Sequence, residues 1–263
     1  MSITIAITNQ KGGVAKTTTA VTIGDGLARR GYSTLLVDLD SQGHVSRALN
    51  LPKRDDVRRW HYDDQPMTAV IQEVRQNLWI LSGDKGTLRV IGRIRDESYG
   101  EERFAEHLHQ DAAAAGFAVT LLDLGPSISN LQVAALIAAD YAILPTRLRM
   151  MDLDGVQEVL RTIQEIARHG HTLKGWYILP TFFDRTTNET VLRLKELVGA
   201  FGSRVWPPIP KDVKVSEAPG RGKTLWEHAP RCNALLGYVN GGGKRLGGYA
   251  DTLERVIQLI EGV

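Results

Sequence analysis

The chain has 263 residues, 43% apolar and 24% charged, with a net charge of +2. That length buries a large core as one α/β domain or two smaller ones, and the composition is ordinary for a soluble globular protein. A lone cysteine, Cys232, excludes an internal disulfide framework and any cysteine-built zinc or iron–sulfur site within one subunit; so small a charge surplus leaves any nucleic-acid role to local clusters.

The chain opens on an apolar run, Ile3–Thr8, read as a strand. Asn9-Gln10-Lys11-Gly12-Gly13-Val14-Ala15-Lys16-Thr17-Thr18 follows as a turn, and a helix is predicted over Ala20–Arg30. A strand running through a glycine-bearing turn into a helix aims backbone N–H groups and a helix dipole at one spot, which favours phosphate. Lys16 is placed to reach the β- and γ-phosphates and the Thr17 hydroxyl to ligate Mg²⁺. The strict pattern G-x-x-x-x-G-K-[ST] fails twice, at Gln10 and Ala15. A methyl group at Ala15 is expected to be tolerated only with φ below zero.

The second strand, Ser33–Asp38, runs into Asp38-Leu39-Asp40-Ser41-Gln42-Gly43-His44. Carboxylates two apart on an extended segment point the same way and suit a Mg²⁺–water shell and an attacking water. His44 reads as a polar surface residue. Lys53–Gln65, dense in charge around Trp60 and Tyr62, reads as a solvated loop. A helix over Met67–Gln76, a strand over Leu78–Ser82 and a helix over Glu101–Ala115 lead to the strand Ala118–Asp123. Its apolar run ending in Asp123 is what a Walker-B aspartate needs, since that carboxylate holds Mg²⁺.

The remaining pattern alternates Leu131–Ala138, Leu153–His169, Glu189–Phe201 and Tyr249–Glu261 as helices with Tyr141–Pro145, Gly175–Pro180 and Arg204–Trp206 as strands. Runs such as Leu35-Leu36-Val37 are apolar without alternation, as in strands covered on both faces. This predicts a doubly wound, mostly parallel sheet flanked by helices, with ligands at the carboxyl ends of its strands. Asn240–Arg245 reads as a flexible basic break. The immediate first strand leaves no room for a secretory signal, and no run approaches a membrane span, so a cytoplasmic location is expected.

The spacing Lys11-Gly12-Gly13-x-x-Lys16-Thr17-Thr18 resembles the deviant Walker A motif of the ParA/MinD superfamily of ATPases. Asp38–His44 is similar to that family's D-x-D-P-Q-G-N, and Asp123-Leu124-Gly125-Pro126 to its D-x-P-P. Ile209–Lys223 is similar to the ParA stretch I-P-R-N-V-R-L-S-E-A-P-x-x-G-K, so the likeness spans nearly the whole chain as a single ATPase domain over 1–263.

The resemblance implies a P-loop NTPase fold, ATP and Mg²⁺ as cofactors, and slow, partner-stimulated ATP hydrolysis. It makes Lys11, Lys16 and Asp40 the catalytic set, with Lys11 reaching across an ATP-bound homodimer and Asp40 positioning the water. Nucleotide contacts fall to Lys11, Gly12, Gly13, Val14, Ala15, Lys16, Thr17 and Thr18, with Thr181, Pro210 and Asp212 around the base. Thr17, Asp38, Asp40 and Asp123 serve the metal. Partners implied are non-specific DNA on the nucleoid and a ParB-like or other stimulating adaptor, with a plasmid, chromosome or protein assembly as cargo. Six Lys or Arg against three acids between Arg204 and Arg231 are too small a surplus to mark nucleic-acid binding by themselves and equally suit a solvated face. With no helix-turn-helix evident, any DNA contact is expected to run through phosphates without sequence reading. Arg221, Lys223, Lys244 and Arg245 are the candidate DNA contacts.

A MinD-like membrane-cycling ATPase is the alternative. It wants a basic amphipathic C-terminal helix, whereas Tyr249–Glu261 holds three acids and one base and reads as docking on the core. A nitrogenase-iron-protein relative is disfavoured by the single cysteine, and a small-molecule kinase by the lack of a substrate lid.

Overall fold

In the computed structural model, residues 2–127, 129–149, 153–239, 243 and 245–262 are described. Seven strands form the central sheet: β1 (Ile3–Ile7), β2 (Thr34–Asp38), β3 (Gln72–Arg75), β4 (Leu78–Leu81), β5 (Val119–Asp123), β6 (Tyr141–Arg147) and β7 (Gly175–Thr181). Their order is β3-β4-β2-β5-β1-β6-β7, parallel throughout except for the antiparallel edge pair β3 and β4. The helices are α1 (Lys16–Arg29), α2 (His44–Ala48), α3 (Asp56–His61), α4 (Met67–Val70), α5 (Thr87–Asp96), α6 (Gly100–Ala114) and α7 (Asn130–Ala138), then α8 (Leu153–Arg168), α9 (Asn188–Phe201), α10 (Lys214–Gly220), α11 (Leu225–His228), α12 (Asn233–Leu236) and α13 (Gly248–Glu261). The predicted mostly parallel, helix-flanked sheet is the one observed.

The central strands are apolar at every position because both faces are covered. Successive side chains alternate between two cores. Ala6, Leu35, Val37, Leu122, Ala142 and Leu144 pack with Trp60, Phe104 and Leu108 on one face. Ile5, Ile7, Leu36, Leu121 and Ile143 pack with Ile23, Leu27 and Leu253 on the other. Helix α13 lies in that second core, with Tyr249, Leu253 and Val256 buried and the Tyr249 hydroxyl 3.1 Å from Thr19 Oγ1.

Three expectations are corrected, and one helix is added. Arg204–Trp206 is no strand: Gly202–Arg204 closes as a 3-10 turn, and Val205 makes only an isolated parallel bridge to Ile178 as the chain passes beside β7. The helix predicted over Met67–Gln76 stops at Val70, and Gln72–Arg75 becomes edge strand β3. Its pairing with β4 outweighs a weak helical propensity. Lys53–Gln65 is not a solvated loop: it carries α3, and Trp60 is fully buried with its Nε1 donating to Asp111 Oδ2 at 2.7 Å. Its charges pair among themselves, Arg54 with Asp56 and Arg58 with Asp55, which frees one face for the core. Helix α5 (Thr87–Asp96) went unread, its apolar positions being only Leu88, Val90, Ile91 and Ile94.

Candidate functional site

Parallel register places the site. β1 lies between β5 and β6, with Ile7 opposite Asp123 on one side and Ile143 on the other. Asp38, ending β2, is registered with Asp123, ending β5. Two acids separated by 85 positions in sequence thus meet beside the turn that leaves β1, at the carboxyl edge where such sheets bind ligands.

The turn itself is tethered at both ends. Asn9 donates to the Pro145 carbonyl (2.8 Å) and accepts from the Lys11 N–H (2.9 Å). Thr181, at the end of β7, donates to the carbonyls of Val14 (3.2 Å) and Thr146 (3.1 Å). Gly13 takes φ +70°. Ala15 also takes φ +70°, as the residue before α1, contrary to the expectation of a negative φ. The left-handed step is what swings the first N–H groups of α1 toward the mouth of the loop, so the backbone holds it despite the methyl group. No side chain caps α1 and no acid lies in its first turn, so those N–H groups remain available to an anion.

Lys16 is buried and donates from Nζ to the Lys11 carbonyl at 2.9 Å. Burial lowers its pKa, and the charges of Asp123 and Asp40 pull it partly back. Lys11 is half-buried, while Gly12 and Gly13 are exposed. Gly155 of α8 sits against this loop so closely that a Cβ there would come within 2.3 Å of Asn9 Oδ1 and 2.8 Å of Lys11 Cγ.

The three acids differ. Asp38 accepts from the N–H groups of Asp40 (3.1 Å) and Val45 (2.9 Å), fixing the loop that follows β2. Burial, and then the neighbouring charge of Asp123, hold its pKa well above the usual carboxylate range. Asp40 accepts from the Gln42 N–H at 2.9 Å, and its Oδ2 lies 3.1 Å from His44 Nδ1. Asp123 is fully buried beside the Thr17 hydroxyl, with neither carboxylate oxygen in a hydrogen bond of ordinary geometry among the described residues. Burial pushes its pKa up to about 7, against the pull of Thr17 and Lys16. A buried carboxylate free of ordinary hydrogen bonds next to a threonine hydroxyl offers the oxygen donors that Mg²⁺ takes, with Lys16 left for phosphate.

A cavity of about 340 Å³ opens over this group, lined by Gly12, Gly13, Ala15, Lys16, Thr17, Thr18, Asp40, His44 and Pro126. A second, mostly apolar cavity of about 410 Å³ adjoins it at Thr17 and Thr18, walled by Val21 and Thr22 of α1 and by Val215, Ala218 and Pro219 of α10. The residues expected around a base, Thr181, Pro210 and Asp212, line neither of these two cavities. Pro210 is buried, and Asp212 accepts from the N–H groups of Lys214 (3.0 Å) and Asn233 (2.9 Å). Arg221, Lys223 and Arg245 are exposed; Lys244 lies outside the described residues.

His44 is exposed, as its reading as a polar surface residue expects, although its ring also lies against Asp40 four positions earlier, a contact that sequence reasoning did not name. That reasoning also passed over Gly155 and Arg147, which reach the loop only through β6 and α8.

This fold and loop define a nucleoside-triphosphate-binding protein of the Walker type. A family model described as an AAA domain matches residues 2–174. The chromosome-partitioning ATPase Soj of Thermus thermophilus is 34% identical over 229 residues, 86% of this chain and 88% of that one. The chromosome partitioning protein ParA of Caulobacter vibrioides is 31% identical over 245 residues, 89% and 90% of the two chains. Among solved structures, apo McdA of Cyanothece superposes with a TM-score of 0.79 over 86% of this chain and 93% of that one, at 18% identity, a likeness of fold. The chain belongs to the ParA/MinD family of deviant Walker A ATPases and is related to the chromosome and plasmid partition ATPases.

Proposed function

We propose that this protein is a ParA-type positioning ATPase whose homodimer closes on ATP, binds DNA without sequence preference, and is released when an adaptor of the ParB kind stimulates hydrolysis. The observation that carries this reading is the loop from Lys11 to Thr17, with an uncapped helix start and Lys16 hooked to the Lys11 carbonyl above the unpartnered Asp123. Thr17 and Asp123 would hold Mg²⁺, which supplies charge neutralisation along the phosphate chain when bound. Lys16 takes the β- and γ-phosphates. Asp40, with one oxygen held by the Gln42 N–H and the other beside His44, orients the attacking water. Asp38 keeps that loop in place through its two backbone contacts. The apolar cavity between α1 and α10 takes the adenosine half of the nucleotide.

Lys11 adds a positive charge to hydrolysis from across the dimer, by reaching the nucleotide of a second copy. The exposure of Gly12 and Gly13, which line the cavity next to the half-buried Lys11, supports this. DNA contact falls to Arg221, Lys223, Arg245 and Lys244, and runs through phosphates. The burial of α13 in the core favours this reading over a membrane-cycling one, and among the described residues no helix is long and apolar enough to cross a membrane.

The test is DNA binding at moderate salt with ATP, ADP or no nucleotide. ATP-dependent, sequence-indifferent binding that falls steeply with salt is expected. Binding to anionic liposomes alone would overturn the proposal. Asp40→Ala is expected to abolish turnover while leaving an ATP-bound dimer, and normal turnover would remove Asp40 from its role.

A further inference from the structure

Arg147 ends β6, half-buried, next to the phosphate-binding turn rather than in it. Its guanidinium stacks on Phe182, with Cζ 4.5 Å from the ring centroid. A Cβ built on Gly13 would lie 3.4 Å from Arg147 Nη2, so the cation sits against the outer glycine of the loop. Its Nε is buried without a hydrogen-bond partner among the described residues. Arg147 lines a cavity of about 270 Å³, in whose wall Asp184 accepts from the Thr186 hydroxyl (2.6 Å) and N–H (3.1 Å) and lies 3.9 Å from Lys211.

Two features show that this placement is maintained at a cost. A buried guanidinium nitrogen without an acceptor forfeits its hydration. Phe182, the ring beneath it, adopts φ +54°, a left-handed conformation unfavourable for an aromatic residue. Gly13, in the left-handed region that favours glycine, leaves the guanidinium at van der Waals distance from the loop. A planar, permanently charged fork held flat beside a phosphate loop lacks only an anion with oxygen acceptors.

Resting on the nucleotide-binding reading above, we propose that Arg147 is a further nucleotide-contacting residue. It approaches the phosphate chain from the β6 side of Gly13 and is held there by Phe182. The loop thereby gains a cation from its own subunit, distinct from Lys16 within the turn and from Lys11 at its mouth. In phosphoryl transfer such a group stabilises charge that builds on the phosphate oxygens. Phe182 is a positioning residue.

The experiment measures Mg-ATP and Mg-ADP affinity by calorimetry for the full chain, wild type against Arg147→Gln, Arg147→Lys and Phe182→Leu. Thermal unfolding is followed with and without nucleotide. Arg147→Gln is expected to weaken nucleotide binding about tenfold or more and to shrink the nucleotide-induced rise in Tm. Arg147→Lys, which keeps the charge but loses the fork, should recover part of that loss, and Phe182→Leu should fall between. Unchanged affinity in Arg147→Gln, with or without a lower Tm of the ligand-free protein, would overturn the proposal and leave Arg147 a packing residue. Failure of the wild type to bind nucleotide at all would instead sink the underlying ATPase reading.

Discussion

Asp38 and Asp123 are registered neighbours at the ends of β2 and β5, both without exposed surface, and their oxygens are used in opposite ways. Asp38 accepts two backbone N–H groups, whereas Asp123 has no ordinary hydrogen bond among the described residues. One carboxylate is committed to the loop and the other is left for a ligand. Asp38→Asn puts an amide donor against a backbone donor and is expected to destabilise the protein by about 1–3 kcal/mol in urea unfolding. Asp123→Asn removes a carboxylate whose burial outweighs the pull of Thr17 and Lys16, so it should leave the ligand-free protein at least as stable as wild type. Its Mg²⁺-dependent ATP turnover should nonetheless fall by at least about a hundredfold. Equal effects of the two substitutions on stability would contradict this division of labour.

Lys11 is held by its backbone, with the N–H on Asn9 and the carbonyl on Lys16, which leaves the side chain free to reach outward. Lys11→Ala should therefore abolish the ATP-dependent dimer in light scattering while leaving ADP affinity within a few-fold of wild type. Gly155→Ala should disturb the same loop from behind, because the new methyl meets the Asn9 oxygen and the Lys11 side chain. A stability loss of about 1–3 kcal/mol is expected for that overpacking. A fully stable Gly155→Ala with unaltered dimerisation would show that the loop yields freely.

Ala15 is an L-residue in the left-handed region at a position where glycine costs nothing. Ala15→Gly should raise stability by about 1 kcal/mol, seen as a rise in Tm of roughly 2–4 °C, with the site geometry unchanged. A drop in Tm would mean that the methyl group makes packing contacts worth more than the strain.

Acid sensitivity is expected from His61, buried between α3 and α6 with its Nδ1 3.1 Å from His107 Nδ1. Burial, then the charges of His107 and Arg93, lower its pKa to about 4, with Glu97 and Asp64 pulling weakly the other way. The unfolded chain takes up that proton near pH 6.5, so between the two values the unfolded state binds more protons and stability rises with pH. The contribution is complete above pH 6.5 and lost as pH falls through about 4, on the order of 3 kcal/mol at most. His61→Gln should flatten the dependence of urea unfolding on pH across that window. An unchanged slope would assign the acid sensitivity to other groups.

Much of this molecule was legible locally. Strands buried on both faces write themselves as unbroken apolar runs, and a phosphate loop is a contiguous stretch whose glycines and lysines do their work through neighbouring backbone. Asp38, Asp40 and Asp123 were legible for the same reason, each closing such a run. Trp60 was not, because the charges around it look solvated until Arg54, Arg58, Asp55 and Asp56 are seen to pair with one another. Edge strand β3 was not, because four mixed residues become a strand only when β4 offers hydrogen bonds.

By itself the sequence determined the sheet, the family and the identity of the loop, all of which depend on patterns within a few turns of chain. Only the tertiary structure decided which acid stays unpartnered, that Ala15 is strained, and that Arg147 lies on Gly13. Those outcomes depend on parallel register and side-chain packing between segments up to 134 positions apart, here Arg147 and Gly13. No local pattern encodes that proximity, because it exists only once β6 is laid beside β1.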